Sequence, residues 1–167
     1  MKKIFLLLIT SLLAINIAHA QNDWITYNAD SKLTIKLPTQ PQKIDDYSVK
    51  STDKNSLIYV VGVVDLLKTD GTDSATLVSK ATTPEYVKIM RDKLVESMPG
   101  FELGDIKTGT WKGYTCYHID GVHTATKANI YFFMFIIGSK LYSLFTYVPV
   151  DTSSQGKDDF FASAVVN

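Results

Sequence analysis

The pattern of apolar and polar residues predicts a β-rich chain whose central element is a hairpin within residues 129–150. Two β-rich runs flank Gly138-Ser139, a pair that suits a tight turn because glycine readily adopts a positive φ. Successive side chains of a strand point to opposite faces, and both faces of the first run are apolar: Ile130, Phe132, Met134 and Ile136 on one, and Tyr131, Phe133, Phe135 and Ile137 on the other. Such a strand belongs inside a sheet that is covered on both sides.

The hairpin completes a predicted meander of four strands, at residues 102–110, 114–123, 129–137 and 140–148. The breaks between these strands are short, and short connections join antiparallel neighbours. Four further strands are predicted earlier in the chain, at residues 24–27, 33–37, 44–49 and 57–67. Leu33, Ile35 and Leu37 alternate with polar residues and face inward, whereas residues 44–49 form a weaker strand.

One helix has a clear start in Thr82-Thr83-Pro84-Glu85. We expect Thr82 to cap the first free amides. Pro84 is compatible with this start, because a proline early in a helix lacks an N–H that would have no hydrogen-bond partner there. The helix runs to about Ser97 and buries a stripe with 3–4 spacing, formed by Val87, Met90, Leu94 and Met98.

A second helix is predicted in the tail, after the capping-type residues 151–154. It docks on the sheet through Phe160, Phe161, Ala164 and Val165. Together these elements predict an α+β fold. We expect an antiparallel sheet of about six to seven strands, including the C-terminal meander, packed by helices in a three-layer α/β/α sandwich.

The first 20 residues have the pattern of a secretory signal peptide. Lys2 and Lys3 precede an apolar run, and Ala18-His19-Ala20 is a small-x-small cleavage site. The strongly apolar run is about half of the roughly 20 residues that span a bilayer. We therefore expect an exported, soluble protein of the periplasm or the medium, with residues 21–167 forming one globular domain and no membrane span after cleavage.

Charge argues against a nucleic-acid partner. Without Lys2 and Lys3, the 17 basic residues of the full chain fall to 15 against 17 acidic ones, a net charge of −2. Proteins that neutralise phosphates need an excess of positive charge.

A polar stretch at residues 68–82 is long for a plain connector, and such loops are usually functional, mobile or contain a small element. Asp70 and Asp73 lie in it and are candidate binding residues. The loop lacks the regular acidic spacing and the distant glutamate of a helix-loop-helix calcium site, so a solvated turn is favoured over a metal site.

Cys116, His118 and Asp120 alternate along one predicted strand and therefore share a face. A thiol, an imidazole and a carboxylate are the groups of a nucleophilic triad, but residues two apart on a strand are too widely spaced for in-line hydrogen bonds, and a buried, inert thiol is favoured. The same residues with His123 are possible metal ligands by type, although His123 falls on the opposite face by parity. We assign no catalytic residue, metal or cofactor.

Aromatic residues are the remaining candidates for a binding surface. Trp111 and Tyr114 lie at one strand junction, and tryptophan and tyrosine are favoured at interfaces because they bury a large area while keeping a polar group. Core packing is the alternative role for each.

The order of elements resembles a known group of small domains. Strand 33–37 ending at Pro38, the helix at Thr83-Pro84-Glu85, the meander and the tail Phe160-Phe161-Ala162-Ser163 are similar to the photosystem II extrinsic subunit PsbP, the Ran-binding Mog-type proteins and the bacterial lipoprotein DcrB. The resemblance implies an antiparallel sheet between helical layers and a binding or assembly role without catalysis, and carries over no functional residue. Unlike DcrB, the chain has no cysteine for lipidation after the predicted cleavage site.

Three functions follow as hypotheses. The first is an exported, non-catalytic binding or assembly module whose protein partner lies in the bacterial envelope and contacts a sheet edge or residues 68–82. The second is a small secreted hydrolase or thiol enzyme that uses Cys116 and His118. The third is an inhibitor or immunity protein for an exported toxin.

Overall fold

The computed structural model describes residues 24–167, so the predicted signal peptide at residues 1–20 lies outside the described residues. Eleven strands are described: β1 Ile25–Asn28, β2 Leu33–Leu37, β3 Gln42–Lys43, β4 Ser48–Thr52, β5 Ile58–Asp65, β6 Phe101–Leu103, β7 Lys107–Trp111, β8 Tyr114–His123, β9 Asn129–Ile137, β10 Lys140–Val148 and β11 Val165–Val166. The helices are α1 Leu66–Asp70, α2 Ser74–Lys80, α3 Pro84–Ser97 and α4 Gln155–Ala162. Among these residues, no helix has the length and hydrophobicity needed to cross a membrane.

The strands form two antiparallel sheets, which confirms the predicted α+β class. The main sheet has eight strands in the order β3-β4-β5-β10-β9-β8-β6, with β7 also on the outer edge of β8. A small sheet has the order β1-β2-β11. The main sheet is larger than the expected six to seven strands, and the small sheet joins α4 in one outer layer, which is therefore mixed rather than purely helical.

The hairpin of β9 and β10 lies at the centre of the main sheet, as predicted. Lys140 pairs with Ile137 across a two-residue turn, and Gly138 at the start of that turn has a φ of 62°. β9 is buried on both faces: Phe133 and Phe135 are 3% and 0% exposed on one side. The side chains on the other side, Ile130, Phe132, Met134 and Ile136, are buried as well.

Each face of the hairpin packs against a different layer. On the small-sheet side, Leu33, Ile35 and Leu37 of β2 are all fully buried, as expected from their alternation, and Phe160 of α4 joins them. On the helical side, Met90 of α3 packs in a second cluster with buried residues of β8 and β9, including Tyr117, Ile119, Phe132 and Met134. The central sheet therefore separates two hydrophobic cores.

Two predicted strands differ in the structure. Residues 102–110 are split into β6 and β7 because three residues, 104–106, lie opposite only two of β8, which forms a β-bulge. The guanidinium of Arg91 donates to the carbonyl oxygens of Leu103 and Gly104 at 3.1 and 3.2 Å, which stabilises this break. Residues 44–47 are not a strand, because they form the connection between the short β3 and β4.

The helices also differ in detail from the prediction. Residues 68–82 contain the end of α1 and all of α2. Helix α3 spans Pro84–Ser97 and has Thr83, not Thr82, as its cap, with the Thr83 hydroxyl accepting from the amide of Tyr86 at 3.3 Å. The reason is that Pro84 occupies the first helical position, and the residue before it becomes the cap.

In the tail, Phe160 and Ala164 are buried as predicted, and Phe161 is half-buried. Val165 is 49% exposed, so its predicted docking role is wrong. Val165 instead belongs to β11, whose backbone pairs with β2.

A partly buried ionic network joins the small sheet to the central hairpin. The carboxylate of Asp30 accepts hydrogen bonds from the ammonium of Lys140 at 2.7 Å, the hydroxyl of Tyr142 at 2.8 Å and the amide of Lys32 at 2.8 Å. Burial alone raises the pKa of Asp30, but these hydrogen bonds outweigh it and the pKa is lowered.

We expect Asp30→Asn to lower the free energy of unfolding by about 1.5–3 kcal/mol at neutral pH, the range for hydrogen bonds to charged groups. The folded-state pKa of Asp30 lies below its ordinary value of 3.8, so the charged form stabilises the fold above that value and the contribution is lost as the pH falls through the folded pKa. The difference between wild type and D30N in urea denaturation is therefore expected to shrink on acidification. As a control, Asp46→Asn at an exposed ion pair changes the stability by less than about 0.5 kcal/mol. A pH-independent D30N effect contradicts this account.

We also expect Thr146→Val to leave stability unchanged or raise it by about 1 kcal/mol. Thr146 is 0% exposed, and within residues 24–167 its hydroxyl has no hydrogen-bond partner. Valine has nearly the same shape without the unpaired polar group. Urea denaturation measures the change, and a loss of more than about 1 kcal/mol would show that the hydroxyl is satisfied in solution.

Candidate functional site

The structure places the predicted aromatic residues on the small-sheet face of the main sheet. Trp111 and Tyr114 are paired across the β7–β8 hairpin, and both are half-buried. The indole of Trp111 packs on the rings of Phe133 and Phe135, with centroids 5.3 and 4.7 Å apart. Most of the Trp111 ring therefore contributes to the core.

Asp70 and Asp73 lie on the helical side of the sheet, so the structure does not bring the four predicted binding residues together. Asp73 caps α2 and accepts from the amide of Thr76 at 2.7 Å. Asp70 accepts from the amide of Thr72 at 3.0 Å. Hydrogen bonds to Thr76 and Thr72 lower the pKa of Asp73 and Asp70, respectively. Both carboxylates shape the local backbone, and the part of the chain that the structure describes contains no cluster of three potential metal ligands.

Cys116 and His118 share a face of β8, but their environments differ. Cys116 is 3% exposed, and burial raises the pKa of its thiol. His118 is largely exposed and stacks on Phe133, with ring centroids 4.7 Å apart, and partial desolvation lowers its pKa. His123 does not join Cys116 and His118, because its Nδ1 lies 2.7 Å from the hydroxyl of Thr126. A buried thiol with a raised pKa is a poor nucleophile.

The described surface carries an apolar groove of about 340 Å³ between α1 and α3, which we call the α1–α3 groove. Met134 of β9 and Leu141 of β10 form its floor, and Leu66 at the start of α1 forms part of one wall. This volume lies in the range of about 300–1,000 Å³ that is typical of ligand pockets. Apolar area predominates in its lining.

Helix α3 forms the other wall because its sequence carries a stripe wider than the core requires. The residues of α3 that line the groove fall at positions i, i+3, i+4, i+7 and i+8, which lie on one side of a helix: Tyr86, Ile89, Met90, Lys93 and Leu94. Met90 is buried at the base of this wall, whereas Ile89 is 46% exposed near its top. The same helix therefore packs on the sheet and offers apolar surface to solvent.

The rim of the groove carries one charge of each sign. Asp70 extends from α1, and Lys93 extends from α3 and contributes to lowering the pKa of Asp70 after the larger effect of Thr72. Burial, and secondarily the charge of Asp70, raises the pKa of Tyr86, so its phenol stays neutral. The groove thus combines an apolar floor with two oriented charges.

A second cleft, of about 510 Å³, lies on the small-sheet side near Trp24, Asp53 and Asp159. The carboxylate of Asp53 is already occupied, because it accepts from the amides of Asn55 and Leu57 at 2.8 and 3.0 Å and from the Tyr59 hydroxyl at 2.9 Å. One oxygen of Asp159 accepts from Gln155 at 2.9 Å. These groups hold the chain itself together, so the α1–α3 groove is the stronger candidate site.

Sequence reasoning identified Asp70 but missed the groove beside it. Met90 and Leu94 were expected in the core, and α1 was not expected as a wall. One signal was present: Ile89 is an apolar residue on the solvent side of the predicted stripe. An exposed apolar residue next to a buried stripe extends the apolar surface of the helix beyond the part that packs on the core, and such exposed surface is typical of a binding site.

No family model matches the chain, and no curated protein does. Among solved structures, the chain is similar to cyanobacterial PsbP (CyanoP) from Synechocystis sp. PCC 6803, with a TM-score of 0.57 and 11% identity over 90% of this chain and 96% of that one. It is also similar to a protein of Bacteroides thetaiotaomicron VPI-5482, with a TM-score of 0.51 and 10% identity over 88% of this chain. The chain spans only about half, 49%, of the Bacteroides protein.

A more distant likeness is to LpqN, described as involved in cell envelope biogenesis of Mycobacterium tuberculosis, with a TM-score of 0.43 and 14% identity over 87% of this chain and 79% of that one. Nothing in these similarities supports the expected resemblance to Mog-type proteins or DcrB. At such low identity the comparisons define the architecture alone. The chain has a PsbP-like α+β fold.

Proposed function

We propose that this chain is an exported, non-catalytic binding module of the bacterial envelope that docks an amphipathic helix of another exported protein in the α1–α3 groove. The observation that carries the proposal is the groove itself, an apolar trough with the exposed Ile89 on one wall. An amphipathic helix binds by laying its apolar face into such a groove.

The charges of the rim define the partner further. Asp70 stands on the α1 side and Lys93 on the α3 side. A helix with basic residues along one flank of its apolar stripe and acidic residues along the other therefore fits in one orientation. Rim charges of this kind select the partner and its direction more than they add affinity.

Two features support a module without catalysis. The thiol of Cys116 is buried within the small-sheet core. The groove lining contains no histidine or cysteine, and its carboxylate, Asp70, is held by Thr72. Export rests on the signal-peptide pattern of residues 1–20. The likeness to CyanoP supports the architecture alone.

Site-specific photocrosslinking tests the docking surface. We expect p-benzoylphenylalanine at position 89 to form a light-dependent adduct with a protein of the envelope fraction of the source organism. The same probe at Val165, equally exposed but on the small-sheet side, is the matched control and forms no such adduct. Adducts of equal yield at both positions, or none at position 89, overturn the proposal.

Charge removal at the rim tests the orientation. We expect Lys93→Gln to reduce the adduct yield at position 89 about two- to fivefold, as loss of an exposed ion pair predicts. Lys88→Gln, on the same helix but outside the groove, is expected to leave the yield unchanged. An equal effect of both variants would show that Lys93 does not face the partner.

Thiol titration tests the absence of a reactive cysteine. Burial raises the pKa of the Cys116 thiol and limits access to it. We therefore expect the folded protein to react with a water-soluble disulfide reagent only as fast as the chain opens. After denaturation, Cys116 is expected to react at the rate of a free thiol. Rapid reaction in the native state would restore the thiol-enzyme hypothesis.

A further inference from the structure

Strand β7 leaves one edge of the main sheet without a strand neighbour among residues 24–167. β7 pairs only with β8, and its residues Lys107, Thr108, Gly109 and Thr110 are exposed. The preceding bulge ends before Lys107, and β7 contains no proline. Prolines, bulges and charged side chains protect natural edge strands, because unpaired N–H and C=O groups attract other strands. Within β7 one of these devices is present, the exposed Lys107 at its start.

The hairpin turn determines which backbone groups of β7 point outward. Trp111 and Tyr114 flank the two-residue turn Lys112-Gly113, whose φ angles are 50° and 83°. In such a hairpin the flanking residues exchange both hydrogen bonds, and bonded and non-bonded pairs then alternate along the strands. The outward groups are therefore those of Thr108 and Thr110.

We propose that two copies of this chain pair antiparallel through β7, with a two-fold axis at Gly109. In this register Thr108 of each copy lies opposite Thr110 of the other, and each pair exchanges two hydrogen bonds through its outward groups. Gly109 then meets Gly109 of the second copy as a non-bonded pair, the position where Cα atoms approach to about 4.5 Å.

The side chains of β7 are also complementary to themselves under this axis. Thr108 and Thr110 of opposite copies form threonine pairs, which are favourable across strands. Lys107 lies opposite Trp111 of the second copy, on the same face, so its ammonium reaches the indole, as Lys112 does within one chain at 4.7 Å. A second copy is favoured over an unrelated peptide because one antiparallel self-pairing of Lys-Thr-Gly-Thr-Trp, the one centred on Gly109, overlaps all five residues and pairs the outward groups of both Thr108 and Thr110.

Disulfide trapping tests the register. A Cβ built on Gly109 lies 3.5 Å from the sulfur of Cys116, so the trap is Gly109→Cys in a Cys116→Ala background, which removes the competing internal thiol. We expect mild oxidation to give a covalent dimer of this variant. Thr110→Cys in the same background is the matched control and gives none, because position 110 lies two residues off its own symmetry mate.

A backbone substitution tests the same edge without relying on a cysteine. Thr108→Pro removes an N–H that points outward and leaves every hydrogen bond between β7 and β8 in place. An edge strand tolerates proline at such a position. We expect sedimentation velocity in the millimolar range to show a dimer of the full-length mature protein, and T108P to lose it while keeping the wild-type circular dichroism. A monomer at all concentrations, dimers that T108P retains, or equal trapping at positions 109 and 110 overturn the proposal. The groove crosslink at position 89 is independent of each of these results.

Discussion

The central constraint of this fold is that β9 and β10 are apolar on both faces. A sheet with one wet side needs only one covering layer, but Phe133 and Phe135 on one face and Phe132 and Met134 on the other require two. Helices α2 and α3 cover one face, and the small sheet with α4 covers the other. Because each layer packs against the hairpin rather than against the other layer, the two cores are separate.

Each covering layer is attached by a polar contact as well as by packing. The Asp30 carboxylate binds Lys140 and Tyr142 of β10 and so fixes the β1–β2 turn to the hairpin. On the helical side, the hydroxyl of Tyr117 donates to the carbonyl of Ala81 at 2.7 Å, in a buried position between α2 and α3. Hydrophobic burial drives association of the layers, and these bonds select one arrangement.

Local patterns were sufficient for the hairpin, for Leu33–Leu37 and for α3, because each has strong periodicity and turn or capping residues at its ends. They failed where the outcome depends on a partner distant in sequence. β11 has only two residues and exists because β2 offers it an edge, and the β6–β7 bulge depends on Arg91, which is outside the strand. The groove was missed for the same reason, since its walls come from separate segments and only the fold places Leu66 opposite Ile89.

The position of the small sheet determines which side of the immobilised protein faces the solution. β1 and β11 flank β2 on opposite sides, so the first and last described strands lie in the same outer layer. The α1–α3 groove is on the reverse side of the main sheet. Immobilising the protein through a linker at either terminus, on a sensor chip or a bead, therefore leaves the helical side turned toward the bulk solution.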